Sequence, residues 1–214
     1  MKIENFILIK SKCLIATNIL LLSLISCQSN ISSLEDYSKY ISNPSNGFFK
    51  ETSISNFDIN IKYLPETYWA LKEKNQNIDK NINELSKKYQ NFLIFQVSIK
   101  PKDNSKVVLK DFIHRNALHQ KDYMEQISIL NYRMSDYFSI SSQNKVFKAI
   151  DAKLEDNAFD KQISFLITFI RPKEITNSES ISFLMTENFF LNNTVKVDFL
   201  QKDIFSNPKI EIKQ

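Results

Sequence analysis

Glycine is almost absent from this chain, since Gly47 is the only glycine among 214 residues. Phosphate-binding loops, dinucleotide-binding fingerprints and the sharp turn that carries a nucleophilic serine all need glycine, because the backbone there takes a positive φ or approaches a ligand closely. None of these motifs occurs in the sequence. Turns must therefore rely on Asn, Asp and Ser, whose short polar side chains suit tight turns.

The N-terminal residues predict a lipoprotein signal. A start with three lysines leads into an apolar run over residues 14–25, which ends in Leu24-Ile25-Ser26-Cys27. A basic region, a short apolar core and a small residue before the cut are typical of a secretory signal. The last four residues resemble a bacterial lipobox, in which the cysteine after the cut receives a diacylglyceryl group. Polar residues interrupt the run, which argues against an uncleaved anchor, because a spanning helix needs about 20 apolar residues.

Cleavage before Cys27 divides the chain into three parts. Residues 1–26 are the signal peptide, residues 27–48 hold the lipidated Cys27, a polar tether and a short helix, and residues 49–214 form one globular domain. Two or three acyl chains attach a protein to a membrane almost permanently. Gln28 is not the Asp that favours inner-membrane retention in well-studied proteobacteria, so we expect the outer membrane of the cell envelope. Whether the domain faces the periplasm or the exterior stays open.

The mature domain is close to neutral. The chain has 28 basic and 24 acidic residues, and the signal contains three Lys and one Glu, so 25 and 23 remain. No basic cluster is interleaved with aromatics, so nucleic acid is not an expected partner. The other cysteine, Cys13, lies in the signal, which excludes an internal disulfide, cysteine catalysis and thiolate metal sites. The domain must be stabilised by its apolar core.

Hydrophobic periodicity predicts an α+β fold with a mainly antiparallel sheet and several amphipathic helices. Alternation from Phe57 to Tyr63 predicts a half-buried strand. Further strands are predicted over residues 92–99, 163–170 and 195–199, with shorter candidates over 146–150, 181–184 and 210–212. Helices are predicted over residues 34–41, 65–74, 79–91 and 118–138. Strands that surround helices without regular βαβ alternation favour this class.

No arrangement of side chains predicts catalysis. His114 and His119 are five residues apart, so on a helix they would point about 140° away from each other rather than forming a metal-binding pair. Asp122 and Glu125 could complete a ligand set only if this segment were a loop. We expect a solvated turn for the acidic residues around Glu155. The chain is therefore predicted to be a non-enzyme without a cofactor or metal.

Four aromatic residues are the candidate binding residues: Tyr68, Trp69, Phe189 and Phe190. If exposed, they would form an interaction surface for a protein or a ligand. If buried, they belong to the core, which is the interpretation we favour.

Three segments follow one another in a characteristic order: Asn43-Pro44-Ser45-Asn46-Gly47, an alternating strand running into Tyr63-Leu64-Pro65-Glu66-Thr67-Tyr68, and an aromatic-rich C-terminal part from Val195-Lys196-Val197-Asp198-Phe199 through Asp203-Ile204 to Pro208. This order resembles that of envelope lipoproteins of Bacteroidota-type bacteria. The resemblance implies an envelope location and gives no active-site residues to carry over.

Two functions follow as hypotheses. The first is a membrane-anchored envelope lipoprotein that acts as a non-enzymatic protein-interaction or accessory module, with confinement to the membrane raising its effective concentration. The alternative is a ligand-capturing lipoprotein that binds a small molecule or glycan in an aromatic-lined cleft. A deep pocket with convergent polar groups would favour the second hypothesis, and a flat aromatic patch would favour the first.

Overall fold

The computed structural model describes residues 31–76, 81–102, 117–155, 162–173, 175, 179–187, 191, 193–205 and 208. The strands are β1 (Phe49–Ile54), β2 (Phe57–Leu64), β3 (Phe92–Pro101), β4 (Phe138–Ser142), β5 (Lys145–Lys148), β6 (Asp151–Leu154), β7 (Ile163–Ile170), β8 (Ser180–Met185) and β9 (Val195–Leu200). The α-helices are α1 (Leu34–Ser42), α2 (Glu66–Gln76), α3 (Ile82–Tyr89), α4 (Gln120–Ser128) and α5 (Gln201–Ile204). A π-helical turn (Ile129–Arg133) and two 3₁₀ turns (Pro44–Asn46 and Met134–Tyr137) lie between them. Helices combined with antiparallel sheets confirm the predicted α+β class.

Five strands form the first sheet in the order β1-β2-β3-β7-β6, and every neighbouring pair is antiparallel. The alternation predicted for β2 is confirmed, because every second residue from Phe57 to Tyr63 is buried and those between are half-buried. The same face continues across the sheet, since Val97 lies opposite both Ile61 and Phe165. One side of this sheet, its inner face, is therefore apolar.

Four strands form a second antiparallel sheet in the order β5-β4-β8-β9. Aromatic rings join it to the inner face of the first sheet: the Phe95 centroid lies 5.0 Å from that of Phe183 and 5.4 Å from that of Phe199. The ring centroids of Phe138 and Phe165 are 6.3 Å apart. The core thus lies between two sheets that face each other.

The long helix predicted over residues 118–138 is wrong in its extent. Instead, α4 ends at Ser128, a π-helical turn and a 3₁₀ turn follow, and β4 begins at Phe138. Leu130 and Met134 are buried as predicted, but Tyr132 is 83% exposed. A π-helical turn holds an additional residue, which places Tyr132 outside the apolar stripe.

The strand predicted over residues 146–150 corresponds to β5, which ends earlier, at Lys148, because the chain crosses to the other sheet at Ala149 and Ile150. The Ala149 N–H donates to the Phe138 carbonyl at 3.1 Å, and the Ile150 N–H donates to the Thr168 carbonyl at 2.8 Å.

Strands β1, β4 and β6 were not predicted. The helix predicted over 79–91 begins at Ile82 and ends at Tyr89, and the strand predicted over 210–212 lies outside the described residues.

The single glycine joins the first helix to the sheet. The Ser33 hydroxyl accepts a hydrogen bond from the Asp36 N–H at 3.1 Å, which caps the predicted helix α1. After the 3₁₀ turn, Gly47 takes a left-handed φ of 80°. A Cβ at this position would lie 2.5 Å from the Cβ of Asp203 in α5. Glycine is required here by both its φ and the close approach of α5.

Candidate functional site

Helix α2 carries two of the predicted binding residues, Tyr68 and Trp69, and both are half-buried against the core. The two rings meet edge to face with centroids 5.6 Å apart. Trp69 also stacks on Tyr89 of α3 at 6.0 Å, and the Lys72 Nζ lies 4.9 Å from the Trp69 ring centroid. The Trp69 ring is therefore engaged within the domain, and a sugar could stack on it only by displacing a neighbour.

Polar contacts fix helix α2 on two sides. Glu73 accepts hydrogen bonds from Lys88 Nζ at 2.5 Å and from the Tyr89 hydroxyl at 3.1 Å, both on α3. On the other side, the hydroxyls of Tyr37 and Thr67 are hydrogen-bonded at 2.8 Å, which joins α1 to α2. Burial raises the pKa of Tyr37, so it stays a neutral hydrogen-bonding group. Tyr68 is thus carried by an anchored helix.

Polar side chains occupy the centre of the first sheet's outer face, the side away from the second sheet. We call this set the polar face. It consists of Asn60, Lys62, Gln96, Ser98, Glu155 and Ser164. The strand registers place Lys62 opposite Gln96, and place Ser98 opposite both Asn60 and Ser164. Directly opposite residues in a sheet have side chains close together on one face.

Hydrogen bonds connect one half of the polar face. The Ser98 and Ser164 hydroxyls are 2.8 Å apart, and the Gln162 Nε2 lies 3.3 Å from the Ser164 Oγ. The Gln96 Nε2 donates to the Glu155 Oε2 at 2.7 Å. Glu155 is therefore held against the sheet, instead of lying in the freely solvated turn that the sequence suggested.

Two members of the polar face, Asn60 and Lys62, have a polar atom that forms no hydrogen bond or ion pair with another described residue. The Asn60 Oδ1 is buried and accepts no hydrogen bond. Lys62 is half-buried, and burial lowers the pKa of its ammonium, although the Glu155 carboxylate partly opposes this effect. The nearby cation Lys100, by contrast, has an ion-pair partner, since its Nζ lies 4.0 Å from the Asp58 Oδ2. The polar face thus contains one cation and one acceptor whose bonding capacity is unused.

Aromatic side chains border the polar face. Phe49 of β1 lies directly opposite Lys62 in the strand register and is half-buried. Tyr68 stands near the other side: burial raises the pKa of its phenol, and the negative charge of Glu155 raises this pKa further. Sequence reasoning found Tyr68 but missed Phe49, because only the register of β1 reveals its place.

A second polar cluster lies at the end of the first sheet and is internal. Arg171 donates to the Glu66 carboxylate at 3.0 Å, and both side chains are mostly buried. The Arg171 guanidinium carbon also lies 5.2 Å from the centroid of the Phe205 ring. This pair joins the end of β7 to the start of α2, which gives it a structural role.

Apolar side chains protrude from the segment that contains α4 and the π-helical turn. Leu118, Met124 and Tyr132 are 86%, 57% and 83% exposed. Met124 belongs to α4, and Tyr132 belongs to the π-helical turn that follows it directly. We call these three residues the exposed apolar surface. They contrast with the aromatic core, and Val146 on edge strand β5 is a further exposed apolar residue.

Several predicted residues lie elsewhere. The His119 backbone N–H donates to the Asp122 carboxylate at 3.0 Å, so these two residues begin α4. Within the described part of the chain, no group of three or more His, Cys, Asp or Glu residues could hold a metal ion. Cys27, His114, Phe189 and Phe190 lie outside the described residues.

Comparisons of the chain with protein-family models, with curated proteins and with solved structures find no match. None of the helices that the structure describes is long and apolar enough to cross a membrane.

Proposed function

We propose that this protein is an envelope lipoprotein, anchored through lipid on Cys27, whose domain is a non-enzymatic accessory module that binds another envelope protein. The lipobox after a basic and apolar start supports the anchor and the location. The exposed apolar surface supports binding to a protein. The proposed partner is a protein and not a nucleic acid.

Tyr132 carries the proposal of protein binding. Tyr132 is 83% exposed, whereas the tyrosines and phenylalanines that contact the core are buried or half-buried. Exposed Tyr side chains are favoured anchors at interfaces, because one ring buries a large area and keeps a polar tip. The partner is expected to present an apolar pocket that receives Tyr132, with Met124 beside it. Since both proteins are confined to the envelope, a modest interface is sufficient.

The test begins with the anchor. The wild type and Cys27→Ser are expressed in a related bacterium and labelled with radioactive palmitate. Label that depends on Cys27 is expected, and label that persists in Cys27→Ser would contradict lipidation at this residue.

A photo-crosslinking amino acid at position 124 then identifies the neighbour of the exposed apolar surface in living cells. The crosslinked protein is purified, and its affinity for the full chain is measured by calorimetry. Tyr132→Ser should weaken binding at least tenfold, which is about 1.4 kcal/mol. Val146→Ser is the matched control, because Val146 is an exposed apolar residue on a different element, and it should bind as the wild type does. Equal binding by Tyr132→Ser and the wild type would refute the proposed interface.

Ligand capture is a second candidate function, and the polar face favours it. A cation and a buried acceptor that have no partner among the described residues lie beside an aromatic ring, which is the mixture of groups typical of small-molecule sites. Such a ligand would bind on the sheet rather than on Trp69.

A further inference from the structure

The polar face differs from an ordinary solvated sheet surface because some of its polar atoms are removed from water. Ser164 is fully buried, and the Asn60 Oδ1 is buried as well. Buried polar atoms in folded proteins nearly always have hydrogen-bond partners. Ser164 has partners in Ser98 and Gln162, whereas the Asn60 Oδ1 has none. The Asn60 Oδ1 could therefore accept a hydrogen bond from a donor on a ligand.

Lys62 adds a second requirement for an external group. Lys62 is half-buried two residues after Asn60 on β2, and it forms no ion pair with Glu155, which is instead bonded to Gln96. Removing a charge from water without a partner is costly. A carboxylate on a ligand would supply this partner through a charge-assisted hydrogen bond.

The remaining groups select for hydroxyls and an apolar ring face. The Asn60 Oδ1 and the Glu155 carboxylate are acceptors, so both fit hydroxyl donors. Phe49, directly opposite Lys62, offers an aromatic ring that forms no ring contact with a neighbouring aromatic side chain of the described residues. Carboxylate, hydroxyls and an apolar face occur together in acidic sugars.

We propose that the outer face of the five-stranded sheet binds an acidic sugar of the uronic acid type, with its carboxylate on Lys62, its hydroxyls on Asn60 and Glu155, and its ring against Phe49. This site gives the second candidate function a ligand class, and it is independent of the protein interface at Tyr132. Anchoring in the envelope would place it where free or polymeric sugars pass.

The experiment measures binding of D-glucuronate to the full chain by saturation-transfer NMR and calorimetry. The chain is kept in a detergent without a sugar headgroup, and D-glucose is the neutral comparison. Glucuronate should bind at least tenfold more tightly than glucose, and its affinity should fall as salt is added. Equal binding of both sugars, or binding of neither, would overturn the proposal.

Variants assign the site. Lys62→Met keeps most of the aliphatic chain and should lower the affinity for glucuronate at least tenfold, whereas Lys62→Arg should retain more of it than Lys62→Met does. Lys148→Met, an exposed strand lysine in the other sheet, is the matched control and should bind as the wild type does. Thermal melts establish that each variant is folded. Wild-type affinity in a folded Lys62→Met variant would overturn the assignment, while crosslinking through position 124 would be unaffected.

Discussion

Replacing Gly47 with alanine should destabilise the protein through two separate effects. The native φ of 80° is left-handed, which costs a residue with a Cβ about 1–2 kcal/mol. The new methyl group would also lie 2.5 Å from the Cβ and Cγ of Asp203, well inside the carbon contact distance of about 3.5–4.0 Å. Relief requires α5 to move, and overpacking of this kind costs about 1–3 kcal/mol. We expect the free energy of unfolding to fall by about 2–5 kcal/mol.

Urea denaturation followed by tryptophan fluorescence measures this loss. Trp69 is the only tryptophan, and its contact with Tyr89 should be lost on unfolding. With a slope of about 1–3 kcal/mol/M, the midpoint for Gly47→Ala should fall by at least about 0.7 M while the slope stays unchanged. A loss below about 0.5 kcal/mol would refute the argument, because that is ordinary for surface substitutions.

A double-mutant cycle with Asp203→Gly separates the two effects. Removing the Asp203 side chain eliminates the steric overlap but leaves the left-handed φ of residue 47. The combined loss should therefore be smaller than the two single losses added together, by about 0.5–3 kcal/mol. Strictly additive losses would show that α5 does not press on this turn.

Three other substitutions test electrostatic features of the fold. Arg171→Met should lower the free energy of unfolding by about 1–3 kcal/mol in urea titrations, because Glu66 is left mostly buried without this partner, whereas Lys88→Met, at a more exposed pair, should cost less than about 1 kcal/mol. Lys62→Met should raise the melting temperature at pH 7, because burial lowers the pKa of this lysine in the folded state and the charged form opposes folding. Since folded Lys62 loses its proton before unfolded Lys62 does, the wild type gains stability as the pH rises toward about 10.5, and the advantage of the variant should shrink. An advantage that does not change between pH 7 and pH 10 would contradict this reasoning.

Sequence patterns located the central strands because burial there repeats along the chain itself. In β2 and β7, buried residues alternate or follow one another without interruption, and this signal is local. Strand β1 shows no buried residue, since its members are half-buried or exposed at the edge of the sheet. What makes it a strand is its pairing with β2, for example Thr52 opposite Ile59. Edge pairing is a long-range effect that local periodicity does not reveal.

The candidate site could be predicted only in part for the same reason. Tyr68 was identifiable as an aromatic residue after Pro65, and the structure places it near Glu155. Asn60 and Lys62 had the pattern of a solvent-facing side of a strand, and Ser98 had the same pattern on β3. Their meeting depends on register across three strands, which is fixed only when the sheet forms.

The position of Ile31 limits how far the domain can stand from the membrane. Ile31 is only 2% exposed, so the chain is already part of the domain at residue 31, within the segment predicted to hold the polar tether. Four residue steps separate Cys27 from Ile31, and a fully extended chain covers at most about 3.3–3.6 Å for each, or about 14 Å. If Cys27 carries the lipid as proposed, this end of the domain lies next to the bilayer, and a partner embedded in the same membrane is within immediate reach.

A Gly/Ser insertion of 15 residues between Asn30 and Ile31 tests this constraint. It adds about 20 Å of average reach, so it spreads the domain over a larger volume and lowers its effective concentration at the membrane. Palmitate labelling and the melting temperature should match the wild type, while crosslinking through position 124 should decrease if the partner lies in the bilayer. Unchanged crosslinking would show that the partner projects far enough to meet the domain away from the membrane, and would refute the argument that the short connection to Ile31 sets the geometry of binding.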